Sequence, residues 1–535
     1  MVNEQDKQGA MHIEKDGISA DEQTVPVTSA YATLTRAQVV RKFWRLYITG
    51  LGVSMAGMYA GYANSVIGSI VANEGFIQYF ATTTDPDTGA PALDSQHISL
   101  WSACYFITSI LIHSVAPVTA DKFGRKFNMW GVTLFLTLSI IIQVVATKWW
   151  VLLIARLVAG CAGGMMGTSA MVYLSEMAMP QFRGALLGSF SLAFALGQVF
   201  PAIALKFLEE SKPMASCNIF YSEFVFTGLW LFPMLYLPDT PSWYASESRH
   251  DEGKQALRRL VGNVKDYDLE REYAVLKYEM DESTALQKKQ EGQSEWKILF
   301  TSKTNVKRAI ISTLPFTFQN IVGVPLMFGY TTYFFQLAGV DDPFLGNIVK
   351  QIVLVIGIIL AFYTVDKVGR QTLVIYGGAL MAIICLIVGG LGFMEQTSAS
   401  GVALVALCSF WAFVYANSLA PIGWISLVEI SSPSLRAKTT SFAVTIQYLT
   451  GILFNYCVPR MLSNQHAGWG QKIGLFFGGL TLLYLTPCIL LFPETKGRTY
   501  HELDELFERG IPAWRFAETR TSHQAEVESS EERHT

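Results

Sequence analysis

The feature that most restricts this chain is a series of apolar runs long enough to cross a bilayer. A hydrocarbon core about 30 Å thick needs about 20 apolar residues in a helix. Runs of that length fall at 46–72, 98–119, 128–147, 150–173, 185–207, 218–237, 309–336, 345–365, 372–393, 401–427, 439–461 and 473–492. Lipid offers no partner to a backbone polar group, so each run is predicted to be a helix. The expected fold class is an all-α membrane protein with twelve transmembrane helices. Composition agrees: 16% of residues are charged, against about 25% in soluble domains, and mean hydropathy is +0.31.

The longest polar stretch between runs, 238–308, leaves six spans on either side. The expected organisation is a disordered tail at 1–45, a six-helix half at 46–237 and a central loop at 238–308. A second six-helix half at 309–492 and a tail at 493–535 follow. Within the loop, 252–260 and 269–280 have helical patterning with mixed charge, as amphipathic helices at a membrane face do. Most Lys and Arg fall in the two tails, the central loop and the loops on one side. The other side holds Lys148, Lys206, Lys212, Lys350, Arg460 and Lys472. The positive-inside rule then places both termini and the central loop in the cytoplasm.

A net charge of -3 with no long basic block gives no electrostatic case for a nucleic-acid partner. The seven cysteines are scattered, mostly within apolar runs, and have neither disulfide nor metal spacing. No HExxH, GxSxG or phosphate-binding loop is present, so neither an enzyme nor ATP-driven pumping is expected, and no cofactor is called for. Oligomeric state is not legible.

The two halves carry the same motifs at the same places. ADKFGRK (120–126) follows span 2 and VDKVGRQ (365–371) follows span 8. Glu176 precedes Arg183 by seven residues after span 4, as Glu429 precedes Arg436 after span 10. Repeats of this kind are a common plan of secondary transporters, with the site at the repeat interface. Gly124 and Gly369 permit tight turns. Asp121, Arg125, Glu176 and Arg183, with Asp366, Arg370, Glu429 and Arg436, are read as two ionic latches that break and reform between conformations.

The duplicated Asp-x-x-Gly-Arg loops, the Glu/Arg pairs, PDTPSW (238–243) and PETKG (493–497) resemble the sugar-porter branch of the major facilitator superfamily, over about residues 45 to 515. GYTTYFFQLAG (329–339), SLRAKTTS (434–441) and GRTYHELDELFERGIPAWRF (497–516) resemble fungal maltose and α-glucoside permeases. The resemblance implies the major facilitator fold and residence in the plasma membrane. It places a sugar against Gln198 of span 5, Gln319 and Asn320 of span 7, Gln447 of span 11, and the ring of Trp424 in span 10. The chemistry suits a sugar, whose hydroxyls need groups that donate and accept and whose ring has an apolar face.

Proton-coupled members resembling this chain carry an acid in span 1 beside an arginine in span 4. Here Ala63 stands at the acid's place in GYANSVIGS (61–69), and Arg156 is expected to lack an acidic partner. An unpaired intramembrane arginine is costly, so Arg156 is assigned to backbone carbonyls, amides, water or the substrate. Lys350 is expected to snorkel from the outer end of span 8. The function expected is alternating-access transport of a hexose or α-glucoside, by facilitated diffusion rather than proton symport. A carrier of another polyol, a cyclic acid or a secondary metabolite is the alternative, and a non-transporting sugar sensor ranks below both.

Overall fold

The computed structural model describes residues 29–521, apart from 32–33, 86–88, 180, 266, 291–294, 432–434, 497, 499 and 517. Apart from one two-stranded pairing, Thr83–Thr84 with Pro91–Ala92, the regular elements described are helices. Ten of them are long and apolar enough to cross a membrane. They include spans 2 to 6: Ser95–Phe123, Arg125–Val144, Trp149–Met177, Arg183–Ser211 and Asn218–Tyr236. Span 8 is Pro343–Val368, span 9 Arg370–Leu391, span 11 Arg436–Leu462 and span 12 Ile473–Leu491. Span 10 is two helices, Ser398–Asn417 and Leu419–Glu429, broken where Pro421 has no N–H for the carbonyl of Asn417.

The other two spans fall below that hydropathy for physical reasons. Span 1, Trp44–Ile70, lies inside its half against spans 5 and 6. A β-carbon on Gly57 would come within 2.7 Å of the Phe190 carbonyl oxygen, and one on Gly61 would overlap that of Phe194. Small residues let two backbones meet, and such a helix has little need of apolar bulk. Span 7 is segmented: a helix Lys303–Ile321, a turn at Gly323 with φ +104°, one π-helical turn Pro325–Gly329, then Thr331–Leu337. Only glycine takes that φ at no cost, and the missing N–H of Pro325 removes one helical bond.

The halves meet through span 2 against span 11 and span 5 against span 8. The sequence repeat exchanges span 2 with 8 and 5 with 11, so the interface follows the repeat. This is the architecture of the major facilitator fold. Below, the face bearing the Asp-x-x-Gly-Arg turns is the loop face, and the opposite one is the far face.

Part of the stretch expected to be a disordered tail is ordered. Residues 36–42 form the helix Arg36–Lys42. Ahead of it, Ser29 Oγ and the Ala30 N–H donate to the Glu272 carboxylate at 2.7 and 2.9 Å. Tyr31 stacks on Tyr267 at 5.7 Å, and its carbonyl accepts from Gln181 Nε2. Residues 1–28 lie outside the described part. The central loop contains the helices Pro241–Ser246, His250–Val261, Leu269–Gln290 and Glu295–Thr301, the second and third covering the predicted amphipathic segments.

Candidate substrate site and gates between the halves

At the far face the halves are tied together. Gln465, after span 11, accepts from the Ser95 N–H and donates to the Leu93 carbonyl and Thr83 Oγ1. Gln336 donates to the Ala72 carbonyl, Asn347 to Ser69 Oγ, and Lys206 pairs with Asp342. Deeper in, Gln351 Nε2 of span 8 donates to Gln198 Oε1 of span 5 at 3.3 Å.

The other amides assigned to the sugar lie within the second half. Gln198, Gln319 and Asn320 are buried. Gln319 Nε2 donates to the Leu419 carbonyl at the break in span 10, and its Oε1 accepts from Tyr415 Oη, both at 3.1 Å. Asn320 Nδ2 donates to the Gln447 carbonyl and to Thr450 Oγ1, both at 2.8 Å. Gln447 keeps a buried side-chain Oε1 with no hydrogen-bond donor among the described residues. Trp424 is 41% exposed, edge-on to Phe316 with centroids 4.7 Å apart. Gln319 thus ties span 7 to span 10, and Asn320 ties it to span 11. Gln198, in the other half, meets Gln351, whose Oε1 is a second buried acceptor without a donor among the described residues.

As expected, Arg156 forms no ion pair among the described residues, but a buried acid does lie within electrostatic reach of it. Glu223, six residues into span 6, is buried and acts electrostatically on Arg156. Arg156 Nε donates to the Trp101 carbonyl at 3.4 Å, and its guanidinium lies 4.8 Å from the Tyr105 ring centroid. Both Glu223 carboxylate oxygens are buried without a hydrogen-bond donor among the described residues. Sequence reading missed it because Glu223 sits near a span end, where acids commonly face water.

Lys350 does not snorkel. It is fully buried, and its ammonium donates to the Met327 carbonyl in the π-helical turn and to Thr331 Oγ1 at 2.7 Å. It also lies 5.0 Å from the Phe328 ring centroid. Phe328 packs on Tyr415, whose hydroxyl holds Gln319. The segmentation of span 7 folds its backbone over Lys350, which position along span 8 alone could not indicate.

At the loop face each half forms its own ionic cluster. Arg125 donates to Glu176 at 3.0 and 3.1 Å, to Asp121 at 3.1 Å and to the Ala120 carbonyl. In the second half Arg370 donates to Glu429 at 3.0 Å and to the Val365 carbonyl. Arg183 is a correction: it is exposed and makes no ion pair among the described residues. The side chains of Asp366 and Arg436 lie outside the described part. The remaining positions go to the two loop motifs. Asp239 accepts from the Lys126 N–H at 3.1 Å, and Thr240 Oγ1 donates to Glu176. Likewise Glu494 accepts from the N–H groups of Arg370 and Gln371, and Thr495 Oγ1 donates to Glu429. A carboxylate thus sits at the N-terminus of span 3 and another at that of span 9, where a helix favours an anion. Burial pushes the Asp239 carboxyl above its usual range. These clusters close within their halves rather than between them, so the ties between halves described above concentrate at the far face.

Comparison with known proteins follows the same lines. The sequence model described as "Sugar (and other) transporter" matches residues 49–507. The general α-glucoside permease of Saccharomyces cerevisiae is 25% identical over 94% of this chain and 82% of its own length. The yeast maltose permease MAL31 is 26% identical over 95% and 81%. Hexose transporter 2 of Kluyveromyces lactis is 26% identical over 87% and 83%. Among solved structures, an inward-open form of the Escherichia coli xylose transporter XylE superposes with a TM-score of 0.70 at 20% identity, covering 86% of this chain and 99% of that one. A partially occluded inward-open form gives 0.69 at 19% identity, covering 85% and 100%.

Proposed function

Because the chain belongs to the sugar (and other) transporter family, a multi-pass membrane group, we propose that it moves a hexose or α-glucoside by alternating access. The reading is carried by one observation. Amides of the two halves meet at Gln198 and Gln351, and Gln447 retains a buried acceptor for a sugar hydroxyl. Neutral amides and a half-exposed tryptophan suit a polyhydroxyl ring better than an ion. The α-glucoside permeases and the hexose transporter among its relatives support the same substrate class. In this reading the loop face is cytoplasmic, both termini lie inside and the plasma membrane is the site of action. The step that admits sugar is release of the far-face ties, with span 7 yielding at its break.

Ala63 favours facilitated diffusion. A second reading, proton symport, is favoured by Glu223, a buried acid with two oxygens unpartnered among the described residues.

Expression in a host lacking its own sugar transporters tests the substrate class. Saturable uptake of glucose, maltose or sucrose is expected, and failure on all three with correct membrane delivery would overturn it. In proteoliposomes, sugar-evoked proton uptake by the wild type that is lost in Glu223→Gln establishes symport. Equal uptake without proton movement establishes facilitated diffusion.

A further inference from the structure

In the central loop Arg249 pairs with Glu252, and Lys254 with Glu270. One place instead gathers cations around a concavity. Where the helix Arg36–Lys42 runs into span 1, a concavity of about 270 Å³ is lined by Arg41, Lys42, Arg45, Lys265, Trp44 and Asn263, with two valines and no carboxylate. None of its four cations has an ion pair among the described residues.

The concavity is built by two separate segments. Gly262 ends the helix His250–Val261 at φ +76°, a conformation that favours glycine. A β-carbon there would lie 2.5 Å from Arg45 Nη1, so the glycine also makes room for the guanidinium. Lys42 is placed by the Tyr31 ring, 4.6 Å from its ammonium, and Tyr31 is itself stacked on Tyr267. Trp44, the first residue of span 1, is 55% exposed, as a ring at the level of lipid headgroups would be. Basic pockets beside membrane helices attract anionic headgroups, and the attraction weakens with salt.

We propose that this pocket binds the phosphate-bearing headgroup of an anionic lipid in the adjacent leaflet. The bound headgroup ties the start of span 1 to the central loop. It would neutralise four like charges held together without a counter-ion.

The test uses the purified full-length chain in nanodiscs of phosphatidylcholine, with or without phosphatidylserine or a phosphatidylinositol phosphate. Variants are Arg41→Gln/Arg45→Gln/Lys265→Gln and, separately, Gly262→Val, which displaces Arg45 without removing charge. Bound lipid is counted by native mass spectrometry, and thermal unfolding is followed in parallel. The wild type should retain anionic lipid and melt at a higher temperature with it. Affinity should fall about fivefold for each charge removed, and Gly262→Val should show a partial loss. If the triple variant retains anionic lipid as well as the wild type, the proposal fails. It also fails if phosphatidylcholine stabilises equally, or if soluble inositol phosphate binds as tightly as the lipid, since the ligand would then be a free anion. Should the triple variant not fold, Lys265→Gln and Gly262→Val decide by the same criteria.

Discussion

Gly68 of span 1 and Gly329 of span 7 meet backbone to backbone at the far face: a β-carbon on Gly68 would overlap the Gly329 carbonyl oxygen. Closure therefore depends on hydrogen at that position. Gly68→Ala should hold the far side apart, and overpacking of this kind costs about 1–3 kcal/mol. Uptake should fall by about tenfold or more while sugar still binds. Comparing equilibrium binding with uptake checks this; unchanged uptake would refute it.

Lys350 secures the same gate from span 8 by gripping the Met327 carbonyl. Lys350→Met should release span 7 and favour the state open to the far side. Half-saturation should fall for sugar offered at that side and rise at the loop side, each by about tenfold, the low end for a hydrogen bond to a charged group. Lys350→Arg should restore part of the wild-type behaviour. Uniform loss of rate from both sides, with no opposed change in half-saturation, would mean the role is only structural.

Gln447 and Trp424 divide recognition between hydroxyl and ring face. Gln447→Leu removes the vacant acceptor, and Trp424→Ala the aromatic surface. Each should weaken sugar affinity by about tenfold, the scale of one hydrogen bond or one buried ring contact. Competition by unlabelled sugar measures it, and wild-type affinity in either variant would remove that residue from the site.

Asp239 provides a pH test. Burial raises its carboxyl above the unfolded value, so the folded chain binds more protons than the unfolded one between the two pKa values. Stability from this group is fully present below the unfolded value and lost as pH rises through the folded one. The melting temperature of the wild type relative to Asp239→Asn should therefore rise as pH is lowered from neutral toward the ordinary carboxylate range. A difference constant with pH would count against a raised pKa.

The spans were legible because length and apolarity are local properties, and the repeat was legible because two motifs recur at one offset. The candidate amides came from family resemblance. What escaped were relations between distant elements. Glu223 reads as a span-end acid until the packing of its half buries it. Lys350 reads as a snorkelling lysine until span 7 breaks over it. The recurrence of the Glu/Arg pair in both halves placed Glu176 and Arg183 in one ionic latch. In the fold the helix of span 4 ends at Met177 and span 5 begins at Arg183, and Asp239 and Thr240, returning from the end of span 6, take the place by Arg125 and Glu176.

That return has a mechanical consequence. Asp239 caps span 3, Thr240 grips the end of span 4, and Trp243 Nε1 donates to the Asp121 carbonyl at the end of span 2. Glu494 and Thr495 make the corresponding bonds in the other half. Each half is thus belted by the strand of chain that leaves it. A belted bundle turns as a solid lever, so displacement at one mouth is delivered to the other instead of being absorbed by bending in between.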